Sequence, residues 1–313
     1  MKRNIYSYSK LWMISFVLMG AACTNQVEDA IPVSGQPIEF SVQSDWKEIH
    51  NSRLNDVKKQ FAEGDKIQIF GFHTSPSNVV QKFMYREDGS NRGQIVTYDG
   101  TSWNYSPKRF WPKEGTLDFY ASYPQNSIHN DADHRMMIYD QTVNSMKQDL
   151  LWGVSIKKCA DDRKNNVEIT MYHALAKVNI FFDKSWGDIG TVMFLAYTAG
   201  RFTETDTDGI PKWIFNDGDK TTFNAKFGYD DLLRDDFGTS VTIFILPGKI
   251  TEFQMFDVHG DKIAGSDAIS NEIQKKTFEA GKPYKLTISK SNGVRKKNTN
   301  SRSIAMSVRC VSE

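Results

Sequence analysis

One cysteine closes the first apolar run of the chain. Leu11 to Ala22 is apolar, Lys2, Arg3 and Lys10 precede it, and it ends in Met19-Gly20-Ala21-Ala22-Cys23. A charged start, an apolar stretch too short to span a bilayer comfortably and small residues directly before a cysteine read as a lipoprotein signal. The chemistry expected is acylation of the Cys23 thiol, with Cys23 as the new N-terminus. Gly20 stands where such a box takes an aliphatic residue, and an ordinary secretory signal or a retained anchor are the alternatives. Each buried lipid CH₂ contributes about 0.8 kcal/mol, so several chains on one cysteine would hold the protein at a membrane stably.

Other reactive types are scattered. His129, Asp131, Asp133 and His134 gather imidazoles and carboxylates, the donors a divalent metal takes. They follow Pro124 in what reads as an irregular solvated loop, so no metal is expected. Asp206-Thr207-Asp208-Gly209 resembles the start of a calcium loop, but Pro211 and Trp213 follow and the ligating glutamate is missing, which leaves a turn. His173 reads as a packed or hydrogen-bonded residue. Cys23, Cys159 and Cys310 form no CxxC or Cys/His cluster, which argues against zinc. Cys159 and Cys310 either pair in an oxidising compartment or stay as thiols. No Ser/His/Asp set, phosphate-binding glycine loop, HExxH or paired-carboxylate motif stands out. Neither catalysis nor a cofactor is expected, and a net charge of +1 implies no nucleic-acid partner.

The elements that would carry these residues are strands. Phe, Tyr, Trp and Thr are frequent and long Ala/Leu/Glu runs are rare, which favours sheet. The 313 residues suffice for two domains, and strands punctuated by Gly, Asn, Asp and Pro point to sandwiches. Ile38, Phe40 and Val42 share one face of a short strand over residues 37–42. Residues 44–63 are charged and poorly periodic and read mainly as an exposed loop. Residues 66–72 form a clear strand, with Ile67, Ile69 and Gly71 facing one way and Phe70 and Phe72 the other. Shorter strands follow at 81–86 and 94–98. Trp103 and Tyr105 alternate with polar neighbours, Trp111-Pro112 gives an extended residue and then a turn, and Leu117, Phe119, Ala121 and Tyr123 alternate again. Seven aromatics between Trp103 and Tyr123 are too many for an exposed loop, and each large anchor buries about 150–250 Å².

Residues 149–156 read as a strand. Over 167–183 the apolar set changes parity near Tyr172-His173, which requires a bulge or a change of sheet, and the domain boundary belongs there. Residues 191–197, 213–215, 241–246, 252–258 and 284–288 read as strands of a second domain. The basic stretch 290–302 reads as a linker. Ile304, Met306, Val308 and Cys310 then alternate with Ala305, Ser307 and Arg309, an orphan strand in need of a sheet. The expected organisation is a signal peptide over 1–22, a tether over 23–35, sandwiches over 36–172 and 173–289, and a basic linker with a terminal strand over 290–313.

Several short segments resemble one family. Tyr98–Trp103 as Tyr-Asp-Gly-x-x-Trp, Phe110-Trp111-Pro112, Leu117–Ala121, Gly64–Ile67 leading into Phe70-Gly71, His173–Val178 and Gly281–Tyr284 are similar, in that order, to fimbrillin-like surface proteins of Gram-negative bacteria. The resemblance spans roughly 36–289. It implies a lipidated precursor of two transthyretin-like β-sandwich domains at the outer membrane, anchored through Cys23 and assembling with other fimbrial subunits. It also implies arginine-directed cleavage after the first strand, where Arg53 is the only arginine between Val42 and Gly64. Ile38, Phe40 and Val42 would then leave, and Ile304, Met306, Val308 and Cys310 would be the strand lent to a neighbour by β-augmentation. The alternative is a non-polymerising surface lipoprotein that binds host glycan or protein, with Trp186 and Trp213 as exposed platforms.

Overall fold

Alternating polar and apolar residues become strands along most of the chain. The computed structural model describes residues 31–45, 60–131, 135–142, 144–159, 166–203, 205–206, 209–215, 224–291 and 305–312. The first half carries β1 (Val33–Pro37), β2 (Phe40–Ser44), β3 (Lys66–Thr74), β4 (Val80–Met84), β5 (Gln94–Tyr98), β6 (Trp103–Asn104), β7 (Phe110–Pro112), β8 (Thr116–Tyr123), β9 (Ile128–Asn130), β10 (Met137–Asp140), β11 (Leu151–Lys158) and β12 (Val167–His173). The main sheet runs β2-β12-β11-β8-β3-β5-β6, and β4 pairs with one end of β3. Only β2 and β12 in it pair in parallel, with Phe40 opposite Val167 and Ser44 opposite Met171.

This sheet wraps one core. Ile67 and Ile69 of β3, Leu117, Phe119 and Ala121 of β8 and Ile169 of β12 all point into it. Phe70 and Phe72 point to the other face and join a second cluster, so β3 is buried on both sides. The two-way split of Ile67/Ile69 and Phe70/Phe72 is the one expected from period-two spacing.

The second half carries β13 (Ala176–Asp183), β14 (Ile189–Leu195), β15 (Ala199–Phe202), β16 (Asn224–Phe227), β17 (Leu233–Asp235), β18 (Gly238–Ile245), β19 (Thr251–Asp257), the helix α1 (Ser266–Ile273), β20 (Pro283–Ser291) and β21 (Ala305–Ser312). One sheet runs β17-β18-β13-β20-β21 and another runs β16-β14-β19. Val178, Ile180 and Phe182 of β13 meet Phe253 and Met255 of β19 in the core between them. Ile269 and Ile273 of α1 join this core, and the Ser270 hydroxyl accepts the Phe253 N–H at 2.8 Å.

The parity shift after β12 is a change of sheet. Val167, Ile169 and Met171 face the first core, whereas Ala176, Val178 and Ile180 face the second. Ala174 and Leu175 between them are buried in the middle cluster with Phe72, Trp152 and Phe202. The crossover is pinned by Ala174 N–H to Leu150 O at 2.8 Å, Trp213 Nε1–H to Ala174 O at 2.8 Å and Gly281 N–H to Leu175 O at 2.9 Å. A small sheet ordered β15-β10-β9 takes strands from both sides of the crossover. The fold is therefore all-β with sandwich-like sheets.

Several local expectations need correction. The segment after Pro124 is not an irregular loop: β9 and β10 pair as a hairpin, with Ile138 opposite His129. Phe110–Pro112 is a strand rather than a turn, and its partner is Val33–Pro37, the end of the polar stretch read as a tether. Residues 213–215 are not a strand and contribute a single bridge, Arg201 to Ile214. The helix α1 and strands β15, β16 and β17 were not foreseen. Residues 46–59, most of the charged loop, lie outside the described residues.

Candidate functional site

The residues with the clearest functional reading lie on β2 and in the short extension before it. Ile38, Phe40 and Val42 are 0 %, 4 % and 9 % exposed, while Glu39, Ser41 and Gln43 face solvent. That alternation suits a strand with one buried face. Phe40 packs edge-to-face on Phe119 at 5.2 Å and on Tyr105 at 5.7 Å between ring centroids. Each buried side chain of this size contributes about 1.5–3 kcal/mol, so the three together supply roughly 5–9 kcal/mol of transfer free energy. That is comparable to the whole net stability of many domains, about 5–15 kcal/mol.

Among the described residues β2 ends its sheet, and two different kinds of contact hold it. On one side the parallel ladder to β12 is extended by Val167 N–H to Glu39 O at 2.7 Å and Asp45 N–H to Met171 O at 2.9 Å. Gln43 Nε2 also donates to Thr170 Oγ1 at 3.1 Å. On the other side the bonds come mainly from aromatic side chains. The Tyr105 hydroxyl donates to Ile38 O at 2.7 Å, and Trp103 Nε1–H donates to Val42 O at 3.2 Å. Burial pushes the Tyr105 phenol up to about 12, which keeps it a neutral donor. Trp103 stands on β6, the opposite end of the same sheet, so its indole closes the seam between first and last strands. Upstream, Ile38 N–H donates to Arg109 O at 2.8 Å and β1 pairs with β7, whose Trp111 is buried in the first core.

Downstream of the undescribed 46–59, Phe61 packs edge-to-face on Trp103 at 4.9 Å and on Tyr123 at 5.6 Å. Both flanks of the segment that contains Arg53 are therefore anchored in the first core. Arg53, Cys23 and Ile304 themselves lie outside the described residues. Trp103 and Tyr105 as seam donors were not foreseen. Their only signal in sequence is an aromatic body with one polar tip.

The terminal strand is also an edge. β21 pairs antiparallel with β20 from Tyr284–Ser312 to Ser291–Ala305. The register sets Met306 opposite Lys290, Val308 opposite Ile288 and Cys310 opposite Leu286. Among the described residues β20 is its one sheet neighbour.

The remaining candidates are structural. Trp186 is not an exposed platform: it is 3 % exposed and donates Nε1–H to Ile288 O at 3.2 Å. Trp213 is half-buried against Phe202 at 4.9 Å, so its face is already occupied. His129 Nδ1 lies 3.9 Å from Asp140 Oδ2, while Asp133 and His134 are outside the described residues. No group of three or more potential metal ligands converges among the described residues. Asp206 and Gly209 form a turn in which Gly209 N–H donates to Asp206 O at 3.1 Å. His173 is hydrogen-bonded through Nδ1 to Asp149 Oδ2.

Two solved structures of similar fold are distant in sequence. A candidate cell-adhesion protein from Bacteroides uniformis superposes with a TM-score of 0.52 at 17 % identity, over 88 % of this chain and 97 % of that one. A second candidate cell-adhesion protein, from Bacteroides ovatus, gives a TM-score of 0.50 at 12 % identity over 88 % and 96 % of the two chains. At such identities the likeness concerns the fold alone. No curated protein matches the sequence. The family model described as fimbrillin-like matches residues 53–305, starting later and running further than the 36–289 of the resemblance. A match over so much of the length, carried on these sheets, means that the chain belongs to the fimbrillin-like family.

Proposed function

We propose that the protein is a fimbrial structural or accessory subunit, a pilin-like adhesin precursor that assembles by exchanging strands and carries out no reaction. One observation carries the reading: Ile38, Phe40 and Val42 complete a core from the edge of a sheet. Cleavage at Arg53 would separate β1 and β2 from Phe61 and the rest of the core. The groove left behind offers the β12 edge, the Tyr105 and Trp103 donors and three apolar sites. A strand with apolar residues at every second position refills it, and Ile304, Met306, Val308 and Cys310 of a neighbouring copy have that spacing. Acylated Cys23 would hold the precursor at the outer membrane, facing outward, with other fimbrial subunits as partners.

A second reading has one observation in its favour. β21 already occupies an edge of its own sheet over its whole length. A subunit that keeps this strand would remain a monomeric surface lipoprotein that binds host glycan or protein. One experiment separates the two. The precursor is treated with an arginine-specific protease and run unboiled on a denaturing gel. The strand-exchange reading expects cleavage at Arg53 and a ladder of detergent-resistant multimers, both lost in Arg53→Ala. A single band after complete cleavage, or an unchanged ladder in Arg53→Ala, refutes it.

A further inference from the structure

The chain that follows Cys23 enters the fold at one short ribbon. Ile31 packs against the first core, the Lys113 N–H donates to Pro32 O at 2.8 Å, and β1 then runs antiparallel to β7. Residues opposite each other across an antiparallel pair share a face, and so do residues two apart along one strand. Val33 stands opposite Pro112 and Pro37 opposite Phe110, with an irregularity between the two pairs. These four therefore lie on one side of the ribbon, and Trp111, buried in the first core, lies on the other. Pro112 is buried, whereas Pro37 is exposed, Val33 is 45 % exposed and Phe110 37 %. Two exposed lysines, Lys108 and Lys113, flank β7. Arg109 is held by Glu87 at 3.4 Å, but neither lysine has an ion pair among the described residues.

We propose that, in the uncut precursor, this ribbon rests on the lipid surface that holds the acyl chains. Val33, Pro37 and Phe110 enter the headgroup layer, and Lys108 and Lys113 reach lipid phosphates. Such docking rests on the lipoprotein reading, in which Cys23 is acylated. The length of the connecting chain favours a bilayer as the occupant. Cys23 stands eight residues before Ile31, so even a fully extended connection reaches only about 26–29 Å. A compact unit the size of residues 36–172 is roughly 35–40 Å across. The ribbon is thereby kept on the bilayer side of the molecule. A short tether also holds it at an effective concentration in the millimolar range, so a contact of low intrinsic affinity is still populated. Glu39 and Glu114 are exposed beside the lysines. The apolar face, more than net charge, therefore carries the contact. Cleavage at Arg53 would take β1 away with the anchor and so end the docking.

The two lysines report on the contact directly. The mature protein is purified from membranes, its intact mass is measured, and it is reconstituted in vesicles of phosphatidylethanolamine and phosphatidylglycerol. Limited acetylation with acetic anhydride is then read at each lysine by peptide mass spectrometry. The reference is the same chain begun at Thr24, without an acyl chain, beside the same vesicles. Lys108 and Lys113 should react several-fold more slowly in the anchored protein, while Lys226 and Lys249, exposed lysines of the second half, keep their rates. The double variant Val33→Ser/Phe110→Ser should restore the reference rates at Lys108 and Lys113. Both side chains are exposed, and unchanged rates at Lys226 and Lys249 show that the variant is folded. A mass without acyl chains overturns the lipoprotein reading, and the docking falls with it. An acylated protein with equal rates at all four lysines overturns the docking alone. So does slowing that survives the double variant, or slowing that grows with protein density in the vesicle, the mark of a second copy on the ribbon.

Discussion

Phe40→Ala measures how much of the first core is closed from its edge. The side chain is 4 % exposed and lies against Phe119 at 5.2 Å and Tyr105 at 5.7 Å. Truncating a buried Phe to Ala costs about 3–5 kcal/mol, the spread depending on how far the site collapses. An edge strand can move inward more easily than a central one, so the lower end, about 3 kcal/mol, is expected. For a unit of this size each kcal/mol lowers Tm by roughly 2–4 °C, which gives a drop of roughly 6–12 °C. Urea unfolding followed by tryptophan fluorescence supplies the free energy, and an unchanged m-value shows that the unfolded state is not the cause. Ser41→Ala, one residue away on the solvent face, is the control and should stay within about 0.5 kcal/mol. A loss below about 1 kcal/mol for Phe40→Ala would mean that the core is closed without β2. The groove argument built on Ile38, Phe40 and Val42 would then fail.

Tyr105→Phe removes the donor to Ile38 O, and a loss of about 0.5–1.5 kcal/mol in urea unfolding is expected. The Tyr105 phenol rises from 10.0 to about 12 on folding, so its contribution is intact below pH 10 and disappears as pH climbs toward 12. Wild type should therefore lose more stability over that window than Tyr105→Phe, as read from melting curves. Arg135→Met strips Asp118, a carboxylate with 9 % of its side chain exposed, of an ion pair at 2.6 Å and leaves it, among the described residues, the Lys157 N–H at 2.7 Å. A loss of about 1.5–3 kcal/mol is expected, and it should shrink in the double variant Arg135→Met/Asp118→Asn, in which no buried charge is stranded.

The sequence carried most of what depends on period and little of what depends on distant partners. Ile67 and Ile69 against Phe70 and Phe72, or Leu117, Phe119 and Ala121 on β8, were legible because a pleated strand sends alternate side chains to opposite faces. The parity shift near Tyr172 was legible for the same reason, since changing sheets exchanges the buried set. β7 was not. Its three residues carry too short a pattern, and they are extended because Val33–Pro37 lies beside them, a partner far away in sequence. Strand β17 has all three residues exposed and so shows no alternation at all. The helix α1 is short, and Gly265 before it gives no side-chain cap. Trp186 and Trp213 misled because nothing in sequence separates an exposed indole from a buried one. Ile288 O and Ala174 O, which take their N–H groups, come from distant segments.

The same contrast bears on why the first strand would be the one exchanged. A central strand such as β3 has backbone partners on both sides, β8 and β5, and core on both faces. Removing it would divide the sheet. Among the described residues β2 has a ladder on one side only, and that ladder is parallel, slightly weaker per residue than an antiparallel one. Its other side is held by a phenol and an indole that reach in from β5–β7 chain and do not depend on the identity of the strand they bind. Both groups would donate to any backbone carbonyl at the right spacing. Under the proposed exchange the vacancy would be defined by groups that stay behind: the β12 edge, Tyr105, Trp103 and Phe119. β21 sits at the end of its own sheet in the same way, with β20 as its single neighbour among the described residues. Exchange between copies would therefore break and remake edge ladders alone, while both inner cores keep their central strands.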